Sequence, residues 1–223
     1  MGAAKGDPVD DSLTEVTIRV LQKAGYGIIF PQNMKNLCCG TPWESKGFIE
    51  TADKKSFELE QALLAASWHG AYPVLCDTSP CLYRMRRVMS DTLELYEPVE
   101  FVHAFLLDKL TFTPKQEPVA IHPTCSTKKM GLTKKMEEVA SRCAQKVIMP
   151  PDVNCCGFAG DKGFHLPELN VHGLRTAGPL IEQEGVKVGY SNSRTCEIGC
   201  ATHIGIPYMS IMYLVDEVTT GAA

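Results

Sequence analysis

The stretch "NCCGFAGDKGF", residues 154–164, sets two cysteines side by side, closes them with Gly157 and returns to Gly-Phe a few residues later. The chain has already done nearly the same in "LCCGTPWESKGF", residues 37–48. Cys38-Cys39-Gly40 falls on Cys155-Cys156-Gly157, and Lys46-Gly47-Phe48 falls on Lys162-Gly163-Phe164 with one residue of slippage. A later cysteine follows each pair at nearly equal distance, which sets Cys81 opposite Cys196. Cys76 then stands opposite Ser191, and Cys200 opposite Met85, so these two belong to one half each. The pattern predicts an internal duplication.

Outward from the pairs, apolar segments alternate with amphipathic ones. Leu13, Val16, Val20 and Leu21 recur at helical spacing and predict a helix over 13–25, stopped by Gly25. A buried strand is predicted over 26–31, a helix over 51–67, a strand running into a loop over 71–81, and helices over 82–95 and 98–110. The second half repeats the order, with a strand over 118–125, a helix over 132–145 and a strand over 146–150. A helix over 167–184, a strand over 186–193 and a closing helix over 207–218 complete it. Such alternation predicts an α/β fold of two pseudo-repeated, Rossmann-like halves. Each is a parallel sheet flanked by helices, with cysteines at the C-terminal ends of strands, where open parallel sheets bind their ligands.

The repeats are expected over 1–117 and 118–223. Met130-Gly131-Leu132-Thr133 matches Met1-Gly2 and, ten residues further on, Leu13-Thr14. A strand and Cys125 precede the second copy and have no counterpart before the first. The first repeat is therefore expected to be truncated at its start.

At 223 residues the chain can bury one large core or two small ones. A hydrophobic share of 44% and a charged share of 22% are those of a globular protein. A net charge of −4 gives no electrostatic case for nucleic acid. Lys128, Lys129, Lys134 and Lys135 cluster, as on a solvated helix face. No apolar run is long enough for a transmembrane segment, and the polar, acidic "MGAAKGDPVDD" is no secretory signal. Ten cysteines without such a signal point away from disulfides, toward metal or redox chemistry in a reducing compartment.

Soft thiolates meeting at one point select zinc, copper(I) or an iron–sulfur cluster. The spacings here are far longer than the short steps of a zinc knuckle. A multi-iron cluster can accept both members of an adjacent pair, with Gly40 and Gly157 giving tight turns against it. Cys143 is expected to be a core thiol. His122, three residues before Cys125, reads as a packed structural histidine, with donation to a cluster as the other reading. Asp161 and Glu197 read as loop carboxylates near the site. No nucleotide-binding glycine motif and no Ser/His/Asp ordering is present. The chain reads as a carrier of electrons, with bond-breaking done elsewhere.

The doubled C…CCG…C pattern resembles the cysteine-rich CCG domain found in heterodisulfide reductases, glycolate oxidase iron–sulfur subunits and lactate-utilisation proteins. "CDTSPCLYRM" (76–85), "HPTCS" (122–126), "NCCGFAGDKGF" (154–164) and "YSNSRTCEIG" (190–199) are most similar to the C-terminal iron–sulfur part of FAD-linked D-lactate dehydrogenases. The resemblance implies one or two 4Fe–4S clusters. One would be held by Cys125, Cys155, Cys156, Cys196 and, as a candidate fifth, Cys200. The other would be held by Cys38, Cys39, Cys81 and Cys76, with a further cysteine upstream. It also implies FAD in an N-terminal part of the parent protein, ferredoxin-like domains beside it, and a quinone or cytochrome acceptor. The location implied is cytoplasmic, or peripheral on the inner membrane, and this stretch alone is not expected to oxidise D-lactate. Each set departs from the C-x-x-C ending of the heterodisulfide reductase type, with C-x4-C in the first and C-x3-C in the second. Two rival readings are a thiol–disulfide reductase component, in which a cluster cleaves a disulfide, and an interaction domain with structural or zinc-bound cysteines.

Overall fold

A computed structural model describes residues 11–221; the polar N-terminal stretch, including Met1-Gly2 of the repeat overlay, lies outside the described residues. In chain order these form α1 (Leu13–Lys23), α2 (Thr41–Glu44), α3 (Ile49–Ala66), β1 (Val74–Leu75), α4 (Ser79–Val88), β2 (Leu95–Tyr96) and α5 (Pro98–Phe101). They continue with β3 (Leu110–Phe112), β4 (Val119–Ile121), α6 (Cys125–Lys129), α7 (Thr133–Cys143) and β5 (Val147–Ile148). The last are α8 (Glu168–Leu174), α9 (Ala177–Gln183), β6 (Gly189–Ser191), α10 (Arg194–Ile204), β7 (Tyr208–Ser210), α11 (Ile211–Val218) and β8 (Thr219–Gly221). Helices alternate with parallel strands, so the fold is α/β as predicted.

The described residues gather into two compact units, Ile28–Pro98 and the pair of segments 11–27 and 99–221. The first holds a small parallel sheet, with Val74 opposite Leu95 and Leu75 opposite Tyr96. Its helices α3 and α4 pack on each other, and α2 packs on both. The second holds a four-stranded sheet in the order β5-β4-β6-β7, with all pairings parallel. Strands β4, β6 and β7 are buried along their whole length, as a sheet covered on both faces requires. Strands β3 and β8 form a separate antiparallel pair in the same unit.

Helix α1 starts at a capping box: Glu15 N–H donates to Ser12 Oγ, and Ser12 N–H donates back to Glu15 Oε2 at 2.8 Å. Val16, Val20 and Leu21 are its buried face, and it packs on α11. Arg19 Nη2 reaches Asp216 Oδ2 at 2.6 Å, and Lys23 Nζ reaches Asp216 Oδ1 at 2.8 Å.

Several predicted boundaries move, each for a local reason. Residues 26–31 are irregular instead of a strand: Gly25 at φ +80° turns the chain, Pro31 cannot donate, and Ile29 and Phe30 stay exposed. Helix α4 begins early because Ser79-Pro80 suits a first turn, and it ends early because residues 95–96 pair with β1. The helix predicted over 98–110 shortens to α5 and a π-helical turn over Val102–Leu106 before β3. The helix predicted over 167–184 breaks between α8 and α9, where Pro179 cannot donate to the carbonyl of Arg175. At Ser210 the predicted closing helix divides into β7 and α11, because the Ser210 hydroxyl accepts Met212 N–H and caps a new helix.

Burial would raise the Asp216 carboxyl, but the hydrogen bonds from Arg19 and Lys23 outweigh it and hold it below 3.8. A lowered folded-state value gives stability that is present above the unfolded value and is lost as pH falls through the folded one. Asp216→Asn is expected to cost about 1–2 kcal/mol at pH 7, solvent screening at Arg19 limiting the loss. The gap should close in acid below the carboxylate range. Urea unfolding of both proteins across that pH range checks this, and equal stability at pH 7 would contradict it.

Candidate metal centre

In the second unit, Cys125, Cys155, Cys156 and Cys196 come from three adjacent strand ends. Cys125 opens α6 just after β4, Cys155-Cys156 follow β5, and Cys196 lies in the first turn of α10 just after β6. Because the strands are parallel neighbours, thiols far apart in sequence meet at one sheet edge. Cys156 Sγ and Cys196 Sγ are 3.2 Å apart. Cys155 interacts with both Cys125 and Cys156. A ring nitrogen of His122, at the end of β4, lies with the Cys156 and Cys196 sulfurs in a group whose atoms are all within 4.8 Å of one another.

The thiols hold one another's protons. The side chains of Cys125 and Cys156, helped by Gly157 N–H, keep Cys155 far below the ordinary thiol range despite burial. Cys125 and Cys156 are correspondingly pushed up by Cys155, with burial adding to it. Cys196 is likewise held low, first by Cys156 and then, against burial, by His122. Such a set loses its remaining protons when a cation arrives to replace them.

Cys200 sits one turn beyond Cys196 on α10, fully buried, and its thiol is raised by burial and then by the charge of Cys196. Cys143 is buried on α7 and is pushed up to about 12 by burial, with only Arg142 opposing. Glu197, read as a loop carboxylate, is instead buried on α10 and paired with Arg194 at 3.1 Å. Lys128 is no solvated lysine: its ammonium donates to Val153 O at 2.7 Å, tying α6 to the cysteine loop.

The first unit builds the same turn. Gly40 and Gly157 both adopt left-handed backbone, at φ +84° and +81°. Each donates its N–H to the first cysteine of its pair, at 3.4 Å to Cys38 and 3.3 Å to Cys155. A Cβ on Gly40 would lie 2.3 Å from Ala52 O, and one on Gly157 would lie 2.1 Å from Leu169 O. Ala52 and Leu169 each stand twelve residues beyond their glycine. Cys81 holds Cys39 low and is itself pushed up by it, while burial pushes Cys76 up to about 12. Among the described residues, these thiols form no three-atom group as close as that of His122, Cys156 and Cys196.

The two turns are held from behind by different side chains, which the sequence reading missed. In the second unit Asn170 Nδ2 donates to Cys156 O at 2.7 Å. In the first, Cys39 O accepts from Ser56 Oγ at 2.8 Å and from Arg84 Nε at 3.0 Å. Arg84 is only 2% exposed, and it pairs with Glu44 and, at 2.7 Å, with Asp53. Asp53 and Asn170 each lie thirteen residues after their glycine, and Arg84 and Gly199 each lie three after the distal cysteine. A Cβ on Gly199 would meet Asn170 Nδ2 at 2.8 Å, so the second unit clears room for the amide where the first places a guanidinium. The signal was available in the overlay, as a paired change at matched positions.

The residues present fit a soft metal or an iron–sulfur group. Four thiols converge, the glycine that ends the pair is pressed against the carbonyl of Leu169 with no room for a side chain, and His122 Nε2 is buried with no hydrogen-bond partner among the described residues. Asn170→Ala would strip a buried carbonyl of its donor and is expected to cost about 1–3 kcal/mol. Arg84→Met should cost more, because it removes a buried charged donor from Cys39 O and the guanidinium nearest the half-buried Glu44. Thermal unfolding of each variant checks the order; wild-type stability in Asn170→Ala would remove the amide's assigned role.

The profile of the cysteine-rich domain, CCG, matches residues 3–86 and 119–199. The chain is 27% identical to a subunit of the anaerobic glycerol-3-phosphate dehydrogenase of Escherichia coli K12, an alignment covering 81% of this chain and 48% of that one. It therefore spans about half of that relative. It is 22% identical to lactate utilization protein A of Exiguobacterium sp., over 96% of this chain and 94% of that protein. Lactate utilization protein A of Macrococcus caseolyticus is 28% identical, over 69% and 67%. With two matched segments that each contain a cysteine pair on a glycine turn, the chain belongs to the cysteine-rich CCG domain family.

Proposed function

We propose that the chain is an iron–sulfur electron-transfer segment of a dehydrogenase. The observation that carries this reading is the convergence of Cys125, Cys155, Cys156 and Cys196 at the ends of adjacent parallel strands. These four would hold one cluster, with Cys200 beside it. Cys39, Cys81, Cys76 and Cys38 would serve a second, in the repeat over 1–117. A bound cluster supplies one-electron chemistry. The chain's own residues would anchor it through thiolates, donate Gly40 and Gly157 N–H groups toward sulfur, and hold the turns rigid from behind.

The relatives, a dehydrogenase subunit and lactate utilization proteins, support an oxidoreductase setting. Within it we favour D-lactate or a related D-2-hydroxy acid as the oxidised substrate. A flavin-bearing segment would be the donor and a quinone or cytochrome the acceptor. No helix of the described residues is long and apolar enough to cross a membrane. Zinc is the second reading, and the closeness of His122, Cys156 and Cys196 favours it, since three donors that near can share one ion.

Metal analysis of anaerobically purified protein separates the two. Iron with acid-labile sulfide is expected, and zinc alone would overturn the cluster. Cys155→Ser and Cys156→Ser are each expected to abolish the visible absorption of the second-unit centre while the far-UV circular dichroism stays unchanged. Full iron and sulfide content in those variants would show that the ligands lie elsewhere.

A further inference from the structure

His122 is fixed more firmly than packing alone would require. Its N–H donates to Tyr190 O at 2.9 Å, and its carbonyl accepts the Ser191 hydroxyl at 2.7 Å. Both partners lie on β6, so the backbone of His122 extends the β4–β6 pairing beyond Ile121. The residue is 4% exposed.

Its ring is treated differently from its backbone. Nε2 is buried and finds no hydrogen-bond partner among the described residues. Leaving such an atom buried and unpaired is unfavourable. A histidine kept only for packing would be expected to turn that nitrogen toward a donor or a carbonyl. The ring shares a pocket with two thiols and hydrogen-bonds to one of them, Cys196. One ring nitrogen, Cys156 Sγ and Cys196 Sγ all lie within 4.8 Å of one another. Neutral imidazole is a ligand that iron and zinc both accept, and thiolate beside imidazole is a familiar mixed set.

We infer that His122 is a nitrogen ligand of the second-unit metal centre, on the same metal ion as Cys156 or Cys196. The inference rests on the metal-binding reading above and names a donor beyond the cysteines. Its consequence is a difference between the two centres. Among the described residues, no histidine joins the first-unit thiols in such a group. Beside the four thiolates a neutral imidazole adds a donor without adding negative charge, and histidine-ligated clusters have higher potentials than all-cysteine ones. The second-unit centre is thus expected to be the more easily reduced of the pair.

The test uses the full chain, labelled with 15N-histidine and reconstituted anaerobically with ferrous iron and sulfide. Pulsed EPR of the reduced protein is expected to show a 15N coupling of the size of a direct ligand, and His122→Gln should remove it. His122→Cys should keep the iron and sulfide content and move the midpoint potential to more negative values, whereas a packing histidine would give no such rescue. Circular dichroism confirms that both variants fold. Full iron and sulfide in wild type with no histidine coupling, or with only the weak coupling of a hydrogen-bonded ring, would overturn the inference and leave the electron-transfer proposal standing. An unchanged potential in His122→Gln would do the same. Failure of the wild type to take up iron and sulfide would instead overturn the proposed function, and this inference with it.

Discussion

Two adjacent thiols can face one point only if the backbone after them turns sharply, and here a glycine held against a helix supplies that turn. A side chain on Gly40 or Gly157 would run into the carbonyl of Ala52 or Leu169 at 2.3 or 2.1 Å. At about +80°, the φ of both is one that side-chain-bearing residues adopt only under strain. Each turn is therefore locked between the glycine's own dihedral and the helix behind it. With the pair fixed, the second-unit centre needs only the neighbouring strand ends to deliver Cys125 and Cys196. Parallel pairing of β4 with β5 and β6 does so.

The two units solve one problem with different chemistry behind the turn. The first buries a guanidinium against Cys39 O and balances it with Glu44 and Asp53. The second uses the neutral amide of Asn170 and removes the side chain at Gly199. Arg84 also adds its charge to the influences that hold Cys39 low, although the Cys81 thiol is the larger one. The geometry of the cysteine turn is the same in both units, while the residues supporting it differ at matched positions.

What the sequence disclosed follows from the range of the forces involved. The cysteine pairs, their glycines and the short apolar stretches around the buried strands are local patterns, and they led to the α/β fold and to thiols meeting at a sheet edge. Strand β1 lies within the strand expected over 71–81, whereas the two-residue β2 buries too little to leave a periodic trace. Helix α10 carries Arg194, Glu197 and His203 among small residues, so its amphipathic signal is faint and residues 190–199 read only as a strand followed by a cysteine loop. Residues 26–31 are apolar enough for a strand, but Gly25 and Pro31 bracket them and no described strand pairs with them. The ring environment of His122 depends on Cys196 of α10 and Cys156 of the cysteine loop, neither of them near it in sequence, so its bare nitrogen became apparent only in three dimensions.

The claim on which the account depends is that the gathered thiols grip iron bridged by sulfide. X-ray absorption at the iron edge of anaerobically isolated protein tests it most directly. The account predicts an iron environment dominated by sulfur, together with a second shell of iron scattering from a bridged cluster. Metal present only as zinc, or iron without an iron neighbour, would contradict it.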